Sequence, residues 1–542
     1  MTHPRLRTTA TGKQLIVGGE PMLLLGGQLH NSSPSSSAYM ALVWDRLAAM
    51  NVATVIGSAS WELTEPDEGR FDFALVDDQI EQARRRGMRL VLIWFGAYKN
   101  AASTYAPRWV RADPERFPRA QLGSRSRAVF TYEGDTPKPV LSVFSGNLLE
   151  ADRRAFTALM NHLAAADPQH TVVMVQVENE VGVLGDSRDR SPAAEAAWRQ
   201  PVPAALIDHL VAHTDTLRPE LLDLWSAQGR PTAGSWGAVF GNDARADEVF
   251  MAWAFASYVE SLAIAGKAVT ALPMFANAWL GPQPGMTEPG QYPSGGPARP
   301  VLDVWKAAAP SLDLLGPDIY VEDVAPVLAD YHRPDNPLFV PEAQFRAGTA
   351  FLALGRHHAI GFSVFGIDDG RPDSQLAAAY ALLQPMRRVI TAAQAEGRIA
   401  GVLLDGGDTE TTLRLGGFDI VARDAGALLG RMRLDAGLEA PPAPAPLPSE
   451  TEPGAVTERP GDSRPFALII HEAGDTFVVA GQSLTLDFTR PGAAVEVDYV
   501  EEGRFRDGVW VPGRVLNGDE RLFTLPLGTL GAVRMRLLVL PQ

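Results

Sequence analysis

Short apolar runs alternate with helix-period stripes along roughly the first two thirds of the chain. "KQLIVGGEPMLLLGGQLH" reads as two strands around a Gly-Gly turn, the second from Met22 to Leu29. After it, Met40, Val43, Trp44 and Leu47 fall at i, i+3, i+4 and i+7, the stripe of an amphipathic helix. "VATVIGSA" is a buried strand, "VDDQIEQARRRGM" a helix ending at glycine, and "RLVLIWF" a third strand. A helix after Asp152, "RRAFTALMNHLAAA", leads to a strand over Thr171 to Glu178. "DEVFMAWAFASYVESLAIAGKAV" is helical, and "LPMFANAW", "LDLLGPDIY", "NPLFVPEAQF" and "AIGFSVFGIDD" supply four more apolar runs. Eight strands alternating with helices over roughly 370 residues predict an α/β fold, a (β/α)8 barrel with insertions. A doubly wound sheet is the alternative, but no Gly-rich phosphate loop follows the first strand.

Beyond about Arg388 the pattern changes to short strands with Gly and Asp turns, as in "RIAGVLLDGGDTETTLRLGGFDIVAR" and "RPFALIIHEAGDTFVVAGQSLTLDF". The expected organisation is a catalytic barrel over residues 1–387 and an antiparallel β-sandwich over 388–542. The sandwich carries a Pro-rich loop at 440–454.

Composition narrows the partners. Lysine plus arginine number 48 against 64 acids, a net charge of −16, which argues against nucleic acid and anionic membrane. The absence of cysteine excludes disulfides, thiolate metal sites and a cysteine nucleophile. No zinc or EF-hand spacing and no G-x-S-x-G elbow occurs, so a metal-free, cofactor-free chemistry is expected. The N-terminal segment lacks a signal-like apolar stretch and no window reaches eighteen uninterrupted apolar residues, so a cytoplasmic protein is expected unless a signal was trimmed.

The candidate chemistry lies in "VVMVQVENEVG", Val172 to Gly182. Valines 173, 175 and 177 occupy one parity, facing outer helices, while Gln176, Glu178 and Glu180 occupy the other. Active sites of such barrels sit at the C-terminal strand ends, where Glu180 falls. In "NPLFVPEAQF" Glu342 takes the same position on the seventh run. Strands four and seven oppose each other in an eight-stranded barrel. Two carboxylates about 5–5.5 Å apart equip a retaining glycosidase. Capping or salt-bridged glutamates are the competing reading.

"QVENE" followed by Gly182, "WELTEPDEGRFDF" (Trp61 to Phe73), "GGQLHN" and "FGAYKN" together resemble the strand-end motifs of glycoside hydrolase family 35, β-galactosidases of a retaining (β/α)8 clan. The resemblance covers most of residues 12–370 and extends to a bacterial branch with its own C-terminal β domain. That branch includes enzymes that remove galactose from xyloglucan side chains. The resemblance implies Glu180 as acid/base, Glu342 as nucleophile, Asn179 as partner of the substrate 2-hydroxyl, and Tyr320 as hydrogen-bond donor to the nucleophile. Tyr98 stands at the family's strand-three tyrosine, but Lys99 and Asn100 replace the glutamate expected after it, and Ser58 replaces a tyrosine before Trp61. Those family positions recognise galactose hydroxyls, so the sugar identity stays open.

Trp61, Trp94, Trp279 and Phe365 fall at strand ends, where they either stack on sugar or pack in the core. Glu62 is a candidate substrate contact at the mouth, and Asn277 a contact to sugar or nucleophile. Glu178 reads as a buried structural acid and Glu65 as a turn partner of backbone or arginine. His30 is placed near the site, Arg356 to His358 on solvent, and of Asp368 and Asp369 one lines the pocket and the other caps the next helix. The expected activity is that of an exo-acting retaining β-galactosidase on small or oligosaccharide glycosides. Alternatives are another exo β-glycosidase, such as a β-glucosidase or α-L-arabinopyranosidase, and a catalytically silent carbohydrate-binding protein. For the sandwich, polysaccharide binding, pocket closure and homodimer formation all stay open.

Overall fold

The computed structural model describes residues 2–123, 140–439, 447–452, 455 and 459–541. The Pro-rich residues 440–446 and 453–454 lie outside this set.

The central element is a nearly closed parallel sheet of nine strands: β1 (Leu24–Gln28), β2 (Thr54–Ser60), β3 (Arg89–Lys99), β4 (Val172–Asn179), β5 (Met274–Trp279), β6 (Leu314–Ile319), β7 (Phe339–Val340), β8 (Glu342–Ala343) and β9 (Gly361–Phe365). Their order is β7-β9-β1-β2-β3-β4-β5-β6-β8. The two end strands, β7 and β8, are separated in sequence by Pro341 alone. Proline has no N–H to give a ladder, so it divides one strand into halves that each take a different neighbour. The chain through Pro341 thereby joins the two ends of the sheet, and the nine strands count as the eight of a (β/α)8 barrel.

The predicted stripe is the buried face of α1 (Ser37–Ala49), whose buried residues are Met40, Val43, Trp44 and Leu47. Two boundaries differ from expectation. The first predicted hairpin is Lys13–Val17 against Glu20–Met22, turning at Gly18 and Gly19 with φ of 61° and 92°, and β1 is a separate strand. The helix expected after Asp152 is α2 (Gly146–Ala166), which starts earlier because the Ser145 hydroxyl accepts the Leu148 N–H at 3.2 Å. Asp152 therefore lies within the helix, fully buried.

The chain divides into two compact units. The first comprises Met1–Arg5, Asn31–Tyr39 and Ile56–Asp318. Here α3 (Ala244–Val269) packs against α2, and Gly266 permits the approach: a Cβ there would stand 2.7 Å from Phe156 Cε1. By length and mean hydropathy α3 could also cross a membrane, but 61% of its most apolar window is buried inside the fold, with Val249, Phe255 and Leu262 among the buried side chains.

The second unit comprises Leu6–His30, Met40–Val55 and Ile319–Gln542. It holds a six-stranded antiparallel sheet, running from Ile399–Leu403 at one edge to Val509–Val515 at the other, and a three-stranded one built from Glu410–Leu415, Phe418–Asp424 and Leu484–Thr489. Both sheets feed one core that includes Phe418, Ile469, Phe477 and Phe488, as a sandwich requires. Helix α4 (Ala347–Arg356) lies on this module, with Gly355 and Gly401 so close that a Cβ on Gly355 would be 2.5 Å from Gly401 Cα. The predicted solvation holds for Arg356, which is exposed, but not for His357, which is buried and whose imidazole burial pushes down to about 3.

Candidate active site

In the first unit the site is built around the end of β4. Strands β3 and β4 pair Trp94 with Val177 and next Lys99 with Asn179, so four residues of β3 stand opposite Glu178 alone. The bulge aims two backbone donors at the Glu178 carboxylate: Ala97 N–H at 3.0 Å and Tyr98 N–H at 2.8 Å. Asp152 of α2 joins them, accepting from Trp94 Nε1 and the Tyr258 hydroxyl, each at 2.8 Å. Burial pushes the Glu178 carboxyl well above the ordinary range, and Asp152 pushes it further. Burial pushes the Asp152 carboxyl up as well.

Strict alternation ends at this point. Glu178 has φ of 62° and Glu180 of 44°, so the backbone leaves the extended conformation where the chain reaches the mouth. The turn after β3 holds the result in place: Asn100 N–H donates to Asn179 O at 3.2 Å and Ala101 N–H to Glu180 O at 2.9 Å. From the other side, Glu180 N–H donates to Asn277 Oδ1 at 2.9 Å, and Asn277 Nδ2 donates to Asp318 Oδ2 at 2.7 Å. Asn277 thus positions the Glu180 backbone. Glu180 itself is 7% exposed.

In the second unit Glu342 opens β8 directly after Pro341 and is 5% exposed. Each of its oxygens has a neutral donor. The Tyr320 hydroxyl donates to Oε2 at 2.8 Å, and Gln28 Nε2, at the end of β1, donates to Oε1 at 2.7 Å. Two neutral donors orient this carboxylate. Nearby, His30 Nε2 lies 2.7 Å from Asp369, and its backbone N–H donates to Asp368. The expected helix cap at Asp368 or Asp369 is instead supplied by Ser374, which accepts from Ala377.

Several predicted contacts fall elsewhere. Trp61 is fully buried, donates to Glu65 at 2.8 Å and meets Trp109 edge-on, so it serves packing rather than substrate stacking. Tyr98 is also fully enclosed, its ring edge-on to Phe255 and Tyr258 of α3. Trp94 belongs to the Asp152 cluster. Glu62 is half-buried, 3.6 Å from Arg111, and burial pushes its carboxyl up. Glu65 takes its expected structural role, accepting from Gly69 N–H and Arg154. Lys99 and Asn100 contact one another, the ammonium lying 5.6 Å from the Phe95 ring centre, and Trp279 packs on Ala101 and Leu184. The sequence reading overlooked Gln28, Asp318 and Asp152. All three are buried; Gln28 and Asp318 are polar residues within apolar strands, and "GPDIY" carried that signal two residues before Tyr320.

Residues 43–208, which include β4 and Glu180, match the glycoside hydrolase family 42 model, described as β-galactosidase. The barrel is β-galactosidase-like. Residues 376–526 match a model described as a domain of unknown function, DUF5597. A β-galactosidase of Xanthomonas manihotis is 28% identical over 181 residues, 32% of this chain and 26% of the relative, so the match spans about a quarter of that protein's length. Among solved structures, the β-galactosidase of Bacillus circulans sp. alkalophilus is similar at a TM-score of 0.44 and 16% identity, covering 70% of this chain and 58% of that one. The β-galactosidase of Marinomonas ef1 follows at 0.43 and 15%, covering 69% and 60%.

Proposed function

We propose that the chain is an exo-acting, retaining β-galactosidase in which Glu342 is the nucleophile and Glu180 the general acid/base, with roles as in the family 35 enzymes its motifs resemble. The observation that carries this reading is the setting of Glu342, whose two oxygens each accept from one neutral donor, Tyr320 and Gln28. These two donors orient the carboxylate, as an attacking group needs.

In the first step Glu342 attacks the anomeric carbon while Glu180 protonates the departing glycosidic oxygen, leaving a glycosyl ester on Glu342. In the second, Glu180 takes a proton from water, the hydroxide attacks the anomeric carbon, and the ester oxygen returns to Glu342 as carboxylate. Asn179, buried beside Glu180, meets the 2-hydroxyl, an interaction that strengthens as charge develops.

A second reading, hydrolysis of a different β-glycoside, is favoured by Lys99 and Asn100 standing where the family places a glutamate. Initial rates on aryl β-galactoside, β-glucoside, β-fucoside and α-L-arabinopyranoside, with galactosylated xyloglucan oligosaccharides alongside, separate the two. Galactoside preference supports the first reading. Preference for glucoside supports the second, and turnover of none points to a silent binder.

A further inference from the structure

The first unit contains a cavity that the hydrolytic mechanism does not use. It measures about 120 Å³ and lies between α3, the helix Pro219–Ala227 and the loop after β5. Leu221, Leu224, Val249, Pro282 and Val301 give it apolar walls. One acid is set among them: Glu248, 2% exposed. The Tyr292 hydroxyl donates to Glu248 Oε2 at 3.1 Å, while Oε1 has no hydrogen-bond partner among the described residues. A buried oxygen left without a donor is costly and calls for a ligand or water.

The surrounding charges decide the ligand's sign. Glu288 stands at the rim, and its carboxylate raises the proton affinity of Glu248. Glu220 is held by Arg299 and Arg218. Arg245, the cation lining the cavity, pairs with Asp243 at 2.8 Å. An added cation beside Glu248 meets the carboxyl groups of Glu248 and Glu288, which pair with no cation among the described residues. Size sets the rest, since an apolar cavity of about 150 Å³ accommodates a six-carbon ring.

We propose that this cavity binds a compact primary alkylammonium ion of about four to six heavy atoms, its ammonium donating to Glu248 Oε1 and its chain lying on the Leu224–Val249 wall. Burial pushes the Glu248 carboxyl up to about 8, so at neutral pH the site carries a proton that binding must release. Affinity should then rise about tenfold per pH unit from pH 6 towards 8 and level off above.

Calorimetric titration of the full chain with n-butylammonium, and with n-butanol as an isosteric neutral control, tests this. The expected result is one site per chain, the stated pH dependence, proton release seen as a heat that varies with buffer, and n-butanol binding at least tenfold weaker. Glu248→Gln should remove the pH dependence and most of the affinity, while binding should survive in Glu342→Gln, which separates this site from the hydrolytic one. Equal binding of alcohol and amine, affinity independent of pH, no change in Glu248→Gln, or no binding by the folded protein would each overturn the proposal, the last leaving a cavity filled by water alone.

Discussion

At the scale of residues, neighbours fix both glutamates. Tyr320 and Gln28 donate to the Glu342 carboxylate, and Asn277 and Ala101 hold the Glu180 backbone. A nucleophile must keep one orientation through the reaction, which the donors to Glu342 serve. Removing one neutral donor from an ionised group costs about 1.5–3 kcal/mol, so Tyr320→Phe should lower kcat by about ten- to a hundredfold with little change in stability, measured by steady-state kinetics beside a thermal melt. Glu180→Ala should spare aryl glycosides with good leaving groups more than poor ones, and azide should restore turnover as a β-glycosyl azide. Uniform loss without rescue would remove Glu180 from its role. Both glutamates were legible because an acid ending an apolar strand is conspicuous. Gln28 was not, because an amide closing "LLGGQ" looks like an ordinary strand end until its partner is known.

At the scale of elements, the bulge in β3 and the buried pair beneath it shape the end of β4. The chain Asp152–Glu178–Ala97/Tyr98 fixes the loop whose Asn100 and Ala101 N–H groups hold Asn179 and Glu180. Gly96 makes room for it: a Cβ there would lie 2.3 Å from Trp94 Nε1 and 2.6 Å from Glu178 Oε1. Gly96→Ala should destabilise the fold by about 1–3 kcal/mol, as overpacking does, and lower kcat with it, read by urea unfolding and aryl galactoside rates. An unaffected kcat in a destabilised variant would uncouple the bulge from the site. The strands and most helices were legible from period alone. The start of α2 was misread because Asp152 has the chemistry of a helix cap, and only the packing shows it facing Glu178 while Ser145 makes the cap. The break in alternation at Glu178 was equally hidden, since φ is set by the neighbouring strand's bulge and not by the local sequence.

At the scale of the molecule, the barrel and the antiparallel module were both visible as a change of hydrophobic period near residue 390, while the closure through Pro341 needed the strand order. Buried ionisable groups then set how stability varies with pH. Glu248 is raised from 4.5 to about 8 by burial, so the folded state holds a proton that the unfolded chain has released, and stability falls as pH rises from about 4.5 to 8. His357 is lowered from 6.5 to about 3, so its burial costs least above 6.5 and stability falls as pH drops through that window. Glu248→Gln should therefore raise the melting temperature at pH 8.5 relative to wild type by more than it does at pH 5. An equal effect at both would show that Glu248 titrates normally.

At the centre of the proposed mechanism, Glu342 forms a covalent bond to the sugar. A 2-deoxy-2-fluoro galactoside with a good leaving group slows both steps, because fluorine destabilises the oxocarbenium-like transition states, and formation outpaces release. Peptide mapping by mass spectrometry should then place the added fluorosugar within "NPLFVPEAQFR", Asn336 to Arg346, on Glu342. A label on the Val172 to Gly182 segment, or direct release of the α-anomer with no labelled peptide, would contradict the account.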